Sequence, residues 1–318
     1  MRAVALGTIG ASLLATGCMT SIADSASQLR AEYPLASYDR VGELDFSVLP
    51  EASGMAVSRA RADTLWFVND AGNAAELISM DTRSMKTRIS KLDGIRNRDW
   101  EDLAGFSWQG KPWLLIGDIG DNNAVRDEVK LILLPEPSPT DKKIKNARSV
   151  TITYPDGARD AESLAVDQQR GFVYVLSKRD NPPVLYRLKL ATVFAAAQSG
   201  DQLQFERMGS VTSVPQPTPL ELRLFPRYGK YRAQITAMDI SPDGKRAAVL
   251  TYGEAYVAEV SEDGDWLRAL NEALYPAGMP ILPQPETITI DNDGVIWITT
   301  EQRDAPLLRL TPAAADSS

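Results

Sequence analysis

The sequence predicts an all-β chain folded as a β-propeller, with five blades. One unit recurs five times: a polar residue, a short alternating strand, a tight turn, and a second apolar strand that ends in polar residues. A third strand follows each pair. The repeat, roughly 45 to 75 residues with about four strands, is the length of a propeller blade. A two-sheet sandwich would leave the polar residue at the head of every unit without a reason.

Taken in order, residues 1–18 read as a targeting segment. Arg2 supplies a positive charge, Ala3–Leu14 an apolar run, and Ala15-Thr16-Gly17 small residues before Cys18. This resembles a bacterial lipoprotein signal with Cys18 as the lipidated residue; the alternative is an ordinary secretory signal with an incidental cysteine. Lipidation would anchor the chain to a membrane, and Met19, rather than aspartate, after the cysteine fits outer-membrane sorting. The expected location is the cell envelope, facing the periplasm, with the chain a monomer. Cys18 is the only cysteine, so no internal disulfide forms. Residues 19–42 read as a Ser/Ala-rich tether, 43–312 as the propeller and 313–318 as a tail.

The five strand pairs begin at Ser53, Glu101, Glu162, Thr236 and Glu286. Asp243-Gly244 and Asp293-Gly294 supply hairpin turns in the last two complete pairs. Fourth strands are expected at Lys86–Leu92, Arg148–Tyr154 and Gln202–Val211. The fifth unit runs out of chain after Leu310, and Leu44–Val48 is available to complete it and close the ring. Ala191–Gln198 and Trp266–Leu274 have helical composition. Pro215–Tyr231 is a Pro-, Arg- and Tyr-rich insertion; a strand pair hidden within Pro215–Arg232 would make six blades.

The chain has no histidine, which excludes Ser-His-Asp and Cys-His catalysis and His-ligated zinc. A formal net charge of -8 argues against nucleic acid or an anionic membrane surface as a partner.

In a propeller the first strand of each blade lines the central channel, so the five strand heads gather at its mouth. The second strand returns to the same face, which adds Asp70, Asp118, Lys178, Tyr252 and Glu301. Carboxylates converging in a low-dielectric mouth repel unless protonated, paired or bridged by a cation. Glu101, Glu162, Glu286, Asp118, Asp70 and Glu301 are therefore candidate metal ligands. An all-oxygen set suits Ca²⁺. The alternative is that they are solvated, or paired with Arg98, Arg159 and Lys178. Asp118-Ile119-Gly120-Asp121-Asn122-Asn123 has calcium-loop composition but lacks the EF-hand spacing and closing glutamate, and reads as an Asp/Asn/Gly turn before it reads as a calcium loop. Lys178, Tyr252, Arg227 and Tyr231 are candidate ligand-binding residues, the last two, with Tyr228 and Arg232, suited to an anionic or sugar-like molecule.

Glu101-Asp102-Leu103-Ala104, Glu162-Ser163-Leu164-Ala165 and Pro285-Glu286-Thr287-Ile288, with Asp-Gly hairpins between, resemble the SdiA-regulated family of bacterial propellers. They also resemble the group described by an esterase-like activity of phytase. The first resemblance implies five blades, a Ca²⁺ site and distant kinship to NHL repeats; the second implies phosphate-ester hydrolysis on calcium. Three functions are expected. One is an anchored propeller that binds Ca²⁺ and a protein or small-molecule ligand. Another is a metal-dependent phosphoesterase or lactonase with Asp118 or Glu162 as general base. The third is an interaction platform without a metal.

Overall fold

The computed structural model describes residues Ser37–Thr311. The signal segment, Cys18, most of the tether and the tail lie outside these residues. The chain enters as β1 (Ser37–Glu43) and then builds the first blade from β2 (Ala52–Val57), β3 (Thr64–Asn69), β4 (Glu76–Asp81) and β5 (Lys86–Leu92). The second blade contains β6 (Trp100–Trp108), β7 (Lys111–Asp118), β8 (Val129–Pro135) and, after the two-residue β9 (Lys143–Ile144), β10 (Arg148–Thr153). The third contains β11 (Ala161–Asp167), β12 (Phe172–Ser177), β13 (Val184–Lys189) and, after β14 (Leu203–Gln204), β15 (Glu206–Ser210). The fourth is β16 (Ile235–Ile240), β17 (Arg246–Thr251), β18 (Ala255–Glu259) and β19 (Tyr275–Pro276). β20 (Pro285–Ile290), β21 (Ile296–Thr300) and β22 (Pro306–Thr311) begin the fifth, and β1 completes it.

The five-bladed ring is thus closed by an N-terminal strand, but not by the one expected. Leu44–Val48 has strand-like alternation, yet Asp45 bends it into a turn. The Asp45 carboxylate accepts from the Ser47 N–H (2.9 Å) and hydroxyl (2.6 Å), and its carbonyl accepts from the Val48 and Leu49 N–H groups. The closing strand lies just upstream, within the stretch read as tether. It pairs antiparallel with β22 from Ser37–Thr311 to Glu43–Pro306.

Pro215–Arg232 holds no strand pair. It contains a short helix, Pro219–Leu224, and a 3₁₀ turn, Gly229–Tyr231, so the count is five. The two expected helices form as Leu190–Ser199 and Trp266–Glu272. The Asp-Gly hairpins turn through Gly244 (φ 69°) and Gly294 (φ 77°), a conformation open to glycine at little cost.

The core is divided among the seams between blades. Trp66 of the first blade packs with Leu103 and Leu114 of the second, Phe106 with Val166 and Val175 of the third, and Tyr174 with Met238 and Val249 of the fourth. Ala248 and Leu250 then meet Ile288 and Ile298 of the fifth, and Leu307 returns to Met55 and Phe67 of the first. Buried carboxylates cross-link the inner strands. Asp102 on β6 accepts from the Leu164 N–H of β11 (2.8 Å), and Asp239 on β16 accepts from the Ile290 N–H (2.9 Å) and Thr289 hydroxyl (2.7 Å) of β20.

Candidate metal centre at the channel mouth

Every first strand carries a bulge at the same place. The register skips one residue between Ala52 and Gly54, Trp100 and Asp102, Ala161 and Ser163, Ile235 and Ala237, and Pro285 and Thr287. The skipped residues are Ser53, Glu101, Glu162, Thr236 and Glu286, the five expected strand heads. A bulge re-aims the side chain it carries, and all five residues are buried. Two of them join blades: Ser53 donates to the Trp100 carbonyl and Thr236 to the Pro285 carbonyl, both at 2.8 Å. The three glutamates make no such link.

The second-strand residues also repeat. Asp70, Lys178, Tyr252 and Glu301 donate their backbone N–H groups to the carbonyls of Glu51, Asp160, Gln234 and Gln284, at 2.9, 3.0, 3.3 and 2.9 Å. In the second blade that bond comes from Gly120, to the Asp99 carbonyl at 3.2 Å. Asp118 is not the equivalent residue. It pairs with Trp100, the register position held elsewhere by Asn69, Ser177, Thr251 and Thr300. One residue along a strand reverses the side chain. Asp118 accordingly forms a buried ion pair with Arg126 at 2.7 Å. The calcium-like loop after it is a turn tied down by the same arginine, whose N–H donates to Asp121 (2.7 Å) and whose guanidinium donates to the Gly120 carbonyl (2.6 Å).

Sequence reasoning passed over Asp99 and Asp160. Each stands two residues before a bulge glutamate, as Asp99-Trp100-Glu101 and Asp160-Ala161-Glu162. The residue at this place is polar in all five blades: Glu51, Asp99, Asp160, Gln234 and Gln284. That repeated Asp-x-Glu spacing was a readable signal.

Two carboxylate triads converge, each with one oxygen per residue lying within 4.8 Å of the others: Asp70–Asp99–Glu101 and Glu101–Asp160–Glu162. They share Glu101 but differ in what neutralises them. Glu162 is in contact with the Lys178 ammonium, which also donates to the Tyr252 hydroxyl at 2.9 Å. That hydroxyl in turn donates to Glu286 at 2.9 Å. Asp160 accepts from Arg179 (2.6 Å) and from the Asp121 N–H (2.8 Å). The second triad therefore already faces two cationic side chains. The first is touched by none, with Lys178 and Arg126 acting on it only from a distance: Asp70 takes only the Ala71 N–H, and Asp99 and Glu101 have no side-chain hydrogen bond or ion pair among the described residues. Glu101 is nonetheless only 6% exposed. One oxygen of Glu162, Oε2, is likewise buried without a partner.

The electrostatics follow from this burial. Loss of water raises the Glu101 pKa well above the usual carboxylate range, and Glu162, Asp70 and Asp99 raise it further. Burial and then Asp70 push Asp99 up to about 6. Burial also raises Asp70, Glu162 and Glu301, and takes Glu286 to about 7. Burial disfavours charge on Lys178, but Glu162 and Glu286 outweigh it and hold the ammonium charged.

These residues fit a hard cation. Every donor at the mouth is an oxygen, matching Ca²⁺ coordination at about 2.3–2.6 Å. Gly120 leaves the space they use: a Cβ there would stand 2.0 Å from Glu101 Oε1 and 2.7 Å from the Asp99 carboxyl. Glu286 and Glu301 belong to neither triad. Arg227 and Tyr231 lie in the insertion, where Arg227 covers the ring of Tyr228 and Lys230 that of Tyr231. Arg159 pairs with Asp156 and Asp180, at 3.0 and 2.8 Å.

The family model described as the lipoprotein LpqB β-propeller domain (Gmad1) matches residues 165–318, the last three blades. No curated protein matches the chain. Among solved structures, the soluble aldose sugar dehydrogenase of Escherichia coli is 12% identical, covering 87% of this chain and 99% of that one, with a TM-score of 0.47. A gluconolactonase of Xanthomonas campestris is 13% identical over 90% of this chain and 92% of its own, with a TM-score of 0.46.

Proposed function

We propose that this chain is a lipid-anchored envelope propeller that binds Ca²⁺ at its channel mouth and acts as a binding module. The observation that carries the metal reading is Glu101: a carboxylate only 6% exposed and without a hydrogen-bond donor, converging with Asp70 and Asp99 in space that the missing side chain of Gly120 leaves to them. Burying a carboxylate unpaired costs several kcal/mol, and a divalent cation removes that cost for the whole triad. The SdiA-regulated resemblance supports the same ion. The LpqB-type match supports an envelope lipoprotein; Cys18 as the lipidated residue and the periplasmic side of the outer membrane as its place rest on the signal at residues 1–19. Fatty-acid labelling of the wild-type chain is expected to be lost in Cys18→Ser; a wild-type chain that takes up no label would remove the anchor.

The test of the metal site is thermal unfolding in chelator, Ca²⁺ or Mg²⁺. A ligand at a hundredfold excess over its dissociation constant stabilises the folded state by about 2.7 kcal/mol. A Ca²⁺-specific rise that is absent in Glu101→Gln supports the site. No rise with either ion, in a chain stripped of metal, removes it.

One observation favours the hydrolase reading beside this one. Glu286, near neutrality and hydrogen-bonded to Tyr252, can exchange a proton at physiological pH. The cation would supply Lewis acidity and an activated water. Asp118, held by Arg126, is a poor base in that scheme.

A further inference from the structure

The helix Pro219–Leu224 has no buried residue. Leu220, Leu222 and Leu224 are 56, 44 and 64% exposed, and Tyr228 just beyond is 62% exposed. These are four of the eight large apolar side chains that the described residues expose. The segment is nonetheless held in place. Thr218 and Glu221 form a reciprocal cap, Glu221 pairs with Arg232 at 3.1 Å, and Arg232 donates to the Gly253 carbonyl at 3.0 Å. Glu221 is thereby neutralised, and Arg223, Arg227 and Lys230 remain without an ion pair among the described residues.

The position of the patch follows from topology. The insertion leads into β16, whose first turn lies at the channel mouth, so it stands on the mouth face. Val125, in the loop after β7, and Ile281, in the loop before β20, are 71 and 78% exposed on that same face. Six of the eight exposed apolar side chains therefore surround the mouth.

We infer that the insertion docks on an anionic phospholipid surface through Leu220 and Leu224, which share one helix face, and Tyr228, with Arg223, Arg227 and Lys230 meeting the headgroups. Leucines that enter the acyl boundary, a tyrosine at headgroup level and unpaired basic residues beside them are the chemistry of an interfacial segment. Residues 219–232 carry Arg223, Arg227, Lys230 and Arg232 against one acid, Glu221, a local positive excess in a chain of net charge -8. A second copy meeting the same patch would bring its basic residues against these, which opposes self-pairing through it.

Hydrogen exchange of the full chain reads this directly, segment by segment, so a lipid anchor elsewhere does not confuse it. With phosphatidylglycerol vesicles, exchange in residues 219–231 is expected to slow several-fold, and with phosphatidylcholine vesicles to stay unchanged. Replacing Arg223, Arg227 and Lys230 by glutamine is expected to weaken vesicle binding by this segment on the order of a hundredfold. Unchanged exchange with phosphatidylglycerol overturns the inference. So does equal protection by soluble polyglutamate, which would make the patch a site for an acidic protein.

Discussion

Glu286 turns the burial of the mouth into a pH dependence. Its pKa is about 7 in the fold against an ordinary 4.5, and that of Asp99 about 6 against 3.8. Between those limits the folded chain binds more protons than the unfolded one, so stability falls as pH rises from about 4 to about 7. For Glu286 alone, a shift of this size corresponds to on the order of 3 kcal/mol. Ca²⁺ reverses the sense, because its ligands must be deprotonated and it binds better as pH rises. In chelator, the wild-type melting temperature is expected to drop from pH 5 to pH 7.5, and Glu286→Gln to flatten that drop. With Ca²⁺ the drop should shrink. A wild-type chain whose stability climbs over that range, in parallel with Glu286→Gln, would show that the mouth carboxylates are not protonated in the fold.

At the level of the element, the fold was legible because strand alternation and Asp-Gly turns are local signals, and five repeats of them leave little choice of architecture. The bulge was not legible as a bulge, since it is a property of pairing, yet the residues it displaces were found by alignment. Ser53 and Thr236 stand at the mouth as expected, but each short hydroxyl side chain is spent on the neighbouring blade's backbone. Asp118 failed because the second blade carries extra residues in the turn after β7. Alignment from the apolar end of the strand then places a carboxylate where the fold places Gly120. Asp99 and Asp160 precede the strand heads and carry no strand alternation of their own, though their spacing to Glu101 and Glu162 repeats in the sequence. β1 was missed for a different reason. It is an outer strand, exposed or half-exposed along its whole length, so it carries no inside–outside alternation. The apolar alternation that drew attention to Leu44–Val48 packs under the ring as a turn, with Leu44 and Leu49 buried.

At the scale of the molecule, the two ends of the domain meet in one blade, and this makes closure a separate contribution to stability. Four seams are sealed by strands consecutive in sequence, whereas the fifth blade lacks an outer strand until β1 returns. Because β1 is poorly buried, it stabilises mainly through its ladder with β22. At about 0.5–1.5 kcal/mol net per hydrogen bond, that ladder contributes on the order of several kcal/mol. It also covers an edge that would otherwise be open to pairing with another chain. The proposed anchor would join the propeller through this same strand. Deleting residues 37–43 is therefore expected to lower the denaturant midpoint and to make the chain concentration-dependent in size. Glu101→Gln, which removes an unpaired carboxylate from the mouth, should raise the midpoint in chelator and leave the size unchanged. Equilibrium unfolding with light scattering measures the two together. An unchanged midpoint in the deletion would mean that seam packing, led by Leu307 against Met55 and Phe67, closes the ring without β1.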